Sequence, residues 1–252
     1  MATARGRGIP VEQLPDLLRL HGGATDEFGA AIALVSGGSY RRTKRLADVV
    51  ASAAVLVFLS PLLLVIACLI ALRIGLPVVF HQVRPGQDMR AFRLYKFRTM
   101  RDVGTRDGRV ETDAERTPAV GLLLRRLRVD ELLQFWNVLR GDMTIIGPRP
   151  LLMQDILRFG DEGMERCRVR PGITGWAQVN GGHRLGPKEK LALDLWYVEH
   201  AGLALDLRIV LMTLRMMLLG ERVNRDAIDA ALAEAEPAKK AAPEAAVARS
   251  VA

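Results

Sequence analysis

Cysteine is scarce in this chain: Cys68 and Cys167 are the only two in 252 residues, and they stand far apart. One such pair gives no disulfide framework and no zinc-finger spacing, and it fits a reducing compartment. Aromatic residues are also few, at 5% of the chain, and no RNA-binding aromatic signature accompanies the basic side chains. No internal repeat is visible. Acidic residues are outnumbered, 28 Asp and Glu against 36 Lys and Arg, for a net charge of +8. Such an excess suits nucleic acid, an anionic membrane surface or a phosphorylated substrate. The missing signatures set nucleic acid aside as a partner.

What the chain does have is one long apolar run, residues 49–72 (VVASAAVLVFLSPLLLVIACLIAL), without a charged side chain. It begins too late and runs too long for a cleaved signal peptide, so it is expected to stay in the mature protein. As one straight helix it would measure roughly 36 Å, enough to cross a hydrocarbon core of about 30 Å. Ser60-Pro61 sits at its centre. Pro61 has no N–H, so the carbonyl of Val57 loses its helical donor and the helix kinks. The Ser60 hydroxyl can bond back to a carbonyl of the preceding turn, which keeps a broken helix tolerable in lipid. Two membrane readings follow, a kinked span or a hairpin that enters and leaves on one face, beside the plainer one of a buried core helix. Each hairpin arm would be about 16 Å long and reach roughly mid-bilayer. Both flanks are basic, Arg41, Arg42, Lys44 and Arg45 before the run and Arg73, Arg84, Arg90, Arg93, Lys96 and Arg98 after it. Positive flanks stay on the cytoplasmic side, which favours the hairpin.

Residues 1–40 are rich in Gly and Ala; 9–20 read as a short helix in a loosely packed extension that carries no chemistry. The tract from 227 onward, rich in Ala, Glu and Lys with Pro237 and Pro243, reads as a frayed helix running into a disordered tail. Between them, the strand-like 77–80 and the alternating 92–98 flank a turn at Arg84-Pro85-Gly86. The hairpin so formed puts Arg93 and Tyr95 on one face and Leu94, Lys96 and Arg98 on the other. A solvated basic face is the plain reading of Lys96 and Arg98, and phosphate binding the functional one. Residues 101–118 read as a surface loop.

The chemistry concentrates in residues 121–140, GLLLRRLRVDELLQFWNVLR, a helical region closed by Gly141 as C-terminal cap. Asp130 and Glu131 are adjacent carboxylates close to Arg125, Arg126 and Arg128. A carboxylate can attack phosphorus to form an acyl phosphate, and one or two carboxylates with substrate phosphates make a typical Mg²⁺ site. Arginine supplies a planar fork for phosphate oxygens. Against this stands an ordinary salt-bridged helix face. Two loops shift the balance. Pro148 and Pro150 hold Arg149 in a rigid turn, and Arg170 opens a segment in which Gly172 and Gly175 surround Thr174. Successive backbone N–H groups in such a glycine turn can form an anion-binding nest. The acidic pair and the two arginine loops together read as a diphosphate site.

Several of these segments carry a resemblance. The K-R-x-x-D of Lys44, Arg45 and Asp48, Ser60-Pro61, KFRTM at 96–100, the LR…DEL…QFWNVLRGDM run, GPRP at 147–150 and RPGITGWAQVNG at 170–181 together resemble the bacterial sugar transferases. These monotopic phosphoglycosyl transferases start glycan, capsule or exopolysaccharide assembly on a lipid carrier. The resemblance covers about residues 41–219, and its specificity lies in the set rather than in any one motif. It implies transfer of a sugar 1-phosphate from a UDP-sugar to polyprenol (undecaprenyl) phosphate with release of UMP. Asp130 would be the nucleophile, Glu131 its assistant, and both would hold Mg²⁺. Lys96, Arg98, Arg125, Pro148, Arg149, Pro150, Arg170, Gly172, Thr174, Gly175, Gln178 and Asp194 would bind substrate, while a structural salt bridge competes with that role for Asp194. Ser60 and Pro61 would set a re-entrant topology in the bacterial inner membrane, with the catalytic part facing the cytoplasm.

The chain departs from the family at two places. Arg128 stands where a small hydroxyl residue is usual, and residues 179–187, VNGGHRLGP, lack the usual arginine after the glycine, with Arg184 as a substitute. Sugar choice and loop closure are where these differences bear. The expected fold is α/β and mostly helical. It has an N-terminal extension at 1–40, a membrane re-entrant helix at 41–75, a small cytoplasmic catalytic domain at 76–224 and a tail at 225–252. The helix at 203–219 carries Asp206, Arg208 and Arg215, which suits an amphipathic helix in the membrane interface, or alternatively a core helix. Inner-membrane lipid is an expected partner and a second copy of the chain an open one. A lipid-linked phosphatase and a catalytically silent scaffold for anionic lipid are the alternatives to the transferase.

Overall fold

The computed structural model describes residues 38–106 and 109–235; the helix expected within 9–20 and the far C-terminal tail lie outside them. The chain forms two compact units. Among the described residues the first comprises Arg45–Arg84 and Phe92–Met143, and the second comprises 38–44, Pro85–Ala91 and 144–235.

Helix α1 (Gly38–Phe58) leads into α2 (Ser60–Arg73), and the pair is bent by 61° at the break. The cause is the one the sequence names. Ser60 Oγ donates to the Val57 carbonyl at 2.8 Å, in place of the N–H that Pro61 lacks. A 61° bend is about a third of a full reversal, so the arms diverge, where the sequence suggests a closed hairpin. Among the described residues no single helix is long and apolar enough to cross a membrane, whereas the bent pair together passes by length and composition. One face of α2 is exposed through Leu62, Leu64, Val65 and Leu72. Its other face, Ile66 and Ile70, packs with Phe97, Leu124, Val129 and Leu133.

Strands β1 (Val79–Pro85) and β2 (Ala91–Phe97) pair across the expected turn, where the Gly86 N–H bonds the Arg90 carbonyl at 2.9 Å. The stretch that reads as a loop holds a short ladder, β3 (Thr105–Arg106) with β4 (Arg109–Val110), and one helical turn, α3 (Asp113–Arg116), closed by a Thr112–Glu115 capping box. Helices α4 (Ala119–Arg126) and α5 (Gln134–Arg140) follow. Residues 121–140 are therefore not one helix. Arg128 takes φ 56°, in the left-handed region, and residues Val129–Glu131 make a 3₁₀ turn. Packing explains the break. At 100° per residue, Val129 and Leu133 would point about 140° and 180° away from Leu124 on a straight helix. With the chain broken, all three join the α2 cluster. Gly141 caps α5 at φ 89° as expected, and the last carbonyls of the helix also receive Arg45, whose guanidinium donates to Val138 O at 2.5 Å and Leu139 O at 2.8 Å.

The second unit contains β5 (Thr144–Ile146), α6 (Met153–Arg158), α7 (Asp161–Glu165), β6 (Gly172–Thr174), α8 (Trp176–Val179), α9 (Pro187–His200) and α10 (Leu203–Leu219). Residues 225–235 form α11. The core gathers Trp176, Leu193, Tyr197 and Ile209, and α11 adds Ile228 and Ala231. This corrects the boundary drawn at 224: two small or branched apolar side chains three residues apart carry the core past it. On α10 one face is buried through Asp206 and Ile209, while Leu203, Leu207, Leu211, Leu214 and Leu218 form an exposed stripe. Asp206 accepts from Lys44 at 2.5 Å, from Tyr40 at 2.9 Å and from Tyr197 at 2.7 Å. An acidic residue that in sequence suits an interfacial helix is thus an inward-facing member of a hydrogen-bonded network. Among the described residues every sheet has two strands, so the α/β expectation holds in its mostly helical form.

Candidate active site

In the first unit the break after α4 puts Asp130 and Glu131 on the 3₁₀ turn, between Val129 and Leu133, which pack on α2. Strand β2 brings Lys96, whose Nζ pairs with Glu131 Oε1 at 2.9 Å. Arg125, at the end of α4, donates from Nε to Thr99 Oγ1 at 2.8 Å. Burial and the neighbouring Glu131 push the Asp130 carboxyl above the ordinary carboxylate range, while Lys96, its own backbone N–H and Arg125 act the other way. Four expected residues, Lys96, Arg125, Asp130 and Glu131, thereby form one cluster. Its backbone is held from behind by Asn137 of α5. The buried amide accepts from Tyr95 N–H at 3.0 Å and donates to Arg93 O at 2.7 Å, bonding β2 as a neighbouring strand would.

Arg98 does not join the cluster. Its guanidinium donates to the Leu76 carbonyl at 2.6 Å and the Met100 carbonyl at 2.9 Å and pairs with Asp102. A largely buried arginine with three donors so committed closes the end of the β2 strand; its reading as a phosphate ligand is replaced by this structural one. The physical reason is that three carbonyl or carboxylate acceptors surround a guanidinium that could not be buried unpaired.

The second unit holds the two arginine loops. Strands β5 and β6 run parallel, with Thr144 opposite Gly172 and Ile146 opposite Thr174. Gly147 N–H donates to Thr174 O at 2.8 Å and Gly172 N–H to Pro148 O at 2.8 Å. The Arg170 carbonyl lies against Gly147, and Gly175 packs on the Gly147 carbonyl. The glycines therefore serve close backbone approach between the two loops. The Gly172 N–H, being bonded to Pro148 O, is not a donor for the anion nest expected of this turn. Alanine at Gly172 would put its Cβ 2.2 Å from Gly147 N and 2.5 Å from Gly147 O. Neither backbone atom can swing aside, so Gly172→Ala is expected to cost about 3 kcal/mol and lower Tm by about 6–12 °C in a thermal melt.

The remaining expected residues of this unit divide further. Thr213 Oγ1 donates its one proton to Ile209 O at 2.7 Å, so in its 2.8 Å contact with Thr174 the Thr174 hydroxyl is the donor. Thr174 thus ties the loop to α10. The Gln178 amide is buried, with neither its oxygen nor its nitrogen hydrogen-bonded among the described residues. Asp194 is buried and accepts from Arg166 Nε at 2.7 Å; burial raises its carboxyl against the pull of Arg166. The salt-bridge alternative is the one the geometry bears out. Cys167 is buried, its thiol pushed up to about 11, in keeping with an unreactive packing role. Arg166 and Asn137 escape sequence reasoning. Nothing in MERCRV marks Arg166, but an asparagine inside the apolar QFWNVL signals a buried amide that needs partners.

All of this lies within a stretch that comparison with known proteins recognises. The description of bacterial sugar transferases matches residues 39–220. The sugar transferase EpsL of Bacillus subtilis is 42% identical over 182 residues, 72% of this chain and 90% of the relative. A UDP-N-acetylgalactosamine-undecaprenyl-phosphate N-acetylgalactosaminephosphotransferase of Aeromonas hydrophila is 41% identical over 189 residues, 72% of this chain and 45% of the relative. A UDP-glucose:undecaprenyl-phosphate glucose-1-phosphate transferase of Klebsiella pneumoniae is 38% identical over 180 residues, 68% of this chain and 39% of the relative. The match to EpsL takes in most of that protein, whereas the two enzymes named for their substrates are matched over less than half their length. Because the match runs from the foot of α1 to the end of α10 and takes in the acidic turn and both glycine loops, the chain belongs to the bacterial sugar transferase family.

Proposed function

We propose that the chain transfers a sugar 1-phosphate from a UDP-sugar to polyprenol phosphate, with Asp130 as nucleophile. The observation that carries this reading is the acidic turn: a carboxyl raised by burial and by Glu131, faced by Lys96 and Arg125. A carboxylate held in that setting is basic for its class, and the adjacent cations let it approach an anionic phosphate. The names of the Aeromonas and Klebsiella relatives supply the donor and acceptor classes. In the first step an Asp130 oxygen attacks the β-phosphorus, the bond to the UMP oxygen breaks, and UMP leaves with that electron pair. In the second, a phosphate oxygen of the lipid attacks the same phosphorus and Asp130 leaves. Asp130 and Glu131 give the hard oxygen pair that suits Mg²⁺, and their mutual repulsion is a charge that such an ion offsets. Bound there, Mg²⁺ supplies charge neutralisation for the diphosphate. Arg149 takes a substrate phosphate through its fork.

The bent α1–α2 pair suits insertion from one face. With the bend shared equally, each arm tilts about 30° from the membrane plane, and an α2-length arm descends roughly 10 Å, less than the mid-bilayer reach of a closed hairpin. Basic flanks on both sides favour the cytoplasmic face, and the exposed leucine stripe of α10 suits the interface. Because Val129 and Leu133 rest on α2, the depth of α2 fixes the depth of Asp130.

Purified protein supplied with UDP-glucose or UDP-N-acetylgalactosamine, Mg²⁺ and undecaprenyl phosphate is expected to release UMP and form lipid-linked sugar. Without acceptor, a burst of UMP stoichiometric with enzyme is expected. UMP without lipid-linked sugar favours hydrolysis, and no UMP from a full panel of UDP-sugars favours the silent scaffold. Asp130 acts ionised, so activity is present above its pKa and lost as pH falls through it. Lys96→Met removes a cation that holds that pKa down. The acid limb of the kcat/KM profile should therefore move to higher pH, with a loss of about 10- to 100-fold at pH 7; a limb that stays or moves down contradicts the placement of Lys96.

A further inference from the structure

We infer that Arg166 is a positioning residue for Arg149, acting through the backbone carbonyl between Arg149 and Pro150. The inference rests on the reading of Arg149 as a phosphate ligand. Two peptide planes flank Arg149, and their orientation sets the direction of its Cα–Cβ bond. The plane before it is fixed at the Pro148 carbonyl, which accepts from Gly172 N–H at 2.8 Å. The plane after it is fixed at the Arg149 carbonyl, which accepts from Arg166 Nη2. Pro150 already confines Arg149 to extended conformations, but within that range the carbonyl is free to rotate until something grips it. Arg166 is itself anchored, since its Nε donates to Asp194 Oδ2 at 2.7 Å, and the two side chains are 3% and 5% exposed. A guanidinium reaches both acceptors because its donors diverge from a rigid plane. A buried ion pair is weak as a source of stability, and here one member spends a second donor on a single carbonyl beside the expected phosphate-binding side chain. Asp194 therefore acts two steps removed, by orienting Arg166.

The test is a double-mutant cycle on the full-length protein, with UDP-glucose or UDP-N-acetylgalactosamine as donor, whichever is turned over. Arg166→Lys keeps a cation for Asp194 but has a single nitrogen in place of the Nε and Nη2 that reach the two acceptors. It is expected to raise the donor KM about tenfold with kcat changed less than threefold, and Asp194→Asn to do the same more weakly. In an Arg149→Ala background neither change should raise KM further, while the fall in Tm from each should be the same in both backgrounds. A KM effect of Arg166→Lys that multiplies undiminished onto Arg149→Ala, or a Tm loss with no KM change in either variant, overturns the positioning role and leaves Arg149 as a ligand. If Arg149→Ala itself leaves the donor KM unchanged, it is the phosphate assignment of Arg149 that fails, and the inference with it.

Discussion

Asp130→Asn is expected to abolish transfer, lowering turnover by about 10⁴-fold or more, while the protein melts at the same temperature or a higher one. The two halves of that result come from one property. Burial and Glu131 raise the Asp130 carboxyl, so its folded pKa lies above its unfolded value. In the window between them the folded state binds more protons, and stability falls as pH rises through it. At neutral pH the ionised Asp130 is therefore a cost to the fold, and a neutral isostere removes that cost along with the nucleophile. The acceptor-free UMP burst should vanish, and no labelled sugar phosphate should stay on the protein. Glu131→Gln should differ in kind. It removes a group that raises Asp130 and frees Lys96 from its 2.9 Å pair, so slower turnover should come with an acid limb displaced to lower pH. Unchanged turnover in Asp130→Asn, or a burst of full amplitude, would falsify the covalent route.

How much of this is legible in the sequence depends on distance along the chain. The Val57–Ser60–Pro61 arrangement can be read directly because each participant is within one turn of the others, and a missing N–H has only local substitutes. The Gly141 cap and the β1–β2 turn are legible for the same reason. The break at Arg128 is not, because arginine carries no preference for the left-handed region; what forces it there is the shared packing of Leu124, Val129 and Leu133 on α2. Arg98 and Lys96 read alike in sequence, two basic residues on one face of a strand. The fold separates them by their acceptors, the Leu76 and Met100 carbonyls for one and Glu131 for the other.

In the glycine loops, close backbone packing gives the glycines a role that the sequence does not display. In sequence RPGITG reads as an anion-binding turn, since glycine permits nests, and GPRP as a rigid turn that holds Arg149. In the fold, Gly147, Gly172 and Gly175 lie against one another's backbones with no room for a Cβ, and the two segments bond each other through Gly172 N–H and Gly147 N–H. Two loops distant in sequence are bonded to each other, and both peptide planes flanking Arg149 are gripped.

Pro61→Ala is expected to redistribute the protein across the membrane. Alanine restores the N–H that Val57 O lacks, so α1 and α2 can run as one helix of roughly 54 Å, long enough to span about 30 Å of hydrocarbon. Removing an interior proline favours the straight form by about 3 kcal/mol. Opposing it is the packing of Ile66 and Ile70 on Phe97, Leu124, Val129 and Leu133, at about 1.5–3 kcal/mol for each buried isoleucine. The second term is at least as large, but it exists only once the first unit has folded, whereas the helix meets the membrane earlier. Insertion therefore decides without it, and only the basic flanks oppose crossing. On the order of half the molecules should place residues after Arg73 on the far side, open to external protease. Activity should fall in proportion to that fraction, since the correctly inserted molecules regain the bend when Ile66 and Ile70 pack and Asp130 returns to its depth. A variant that stays wholly on the cytoplasmic side with full activity would show that the two basic flanks alone set the topology, and that the Ser60–Val57 bond answers a kink which packing imposes.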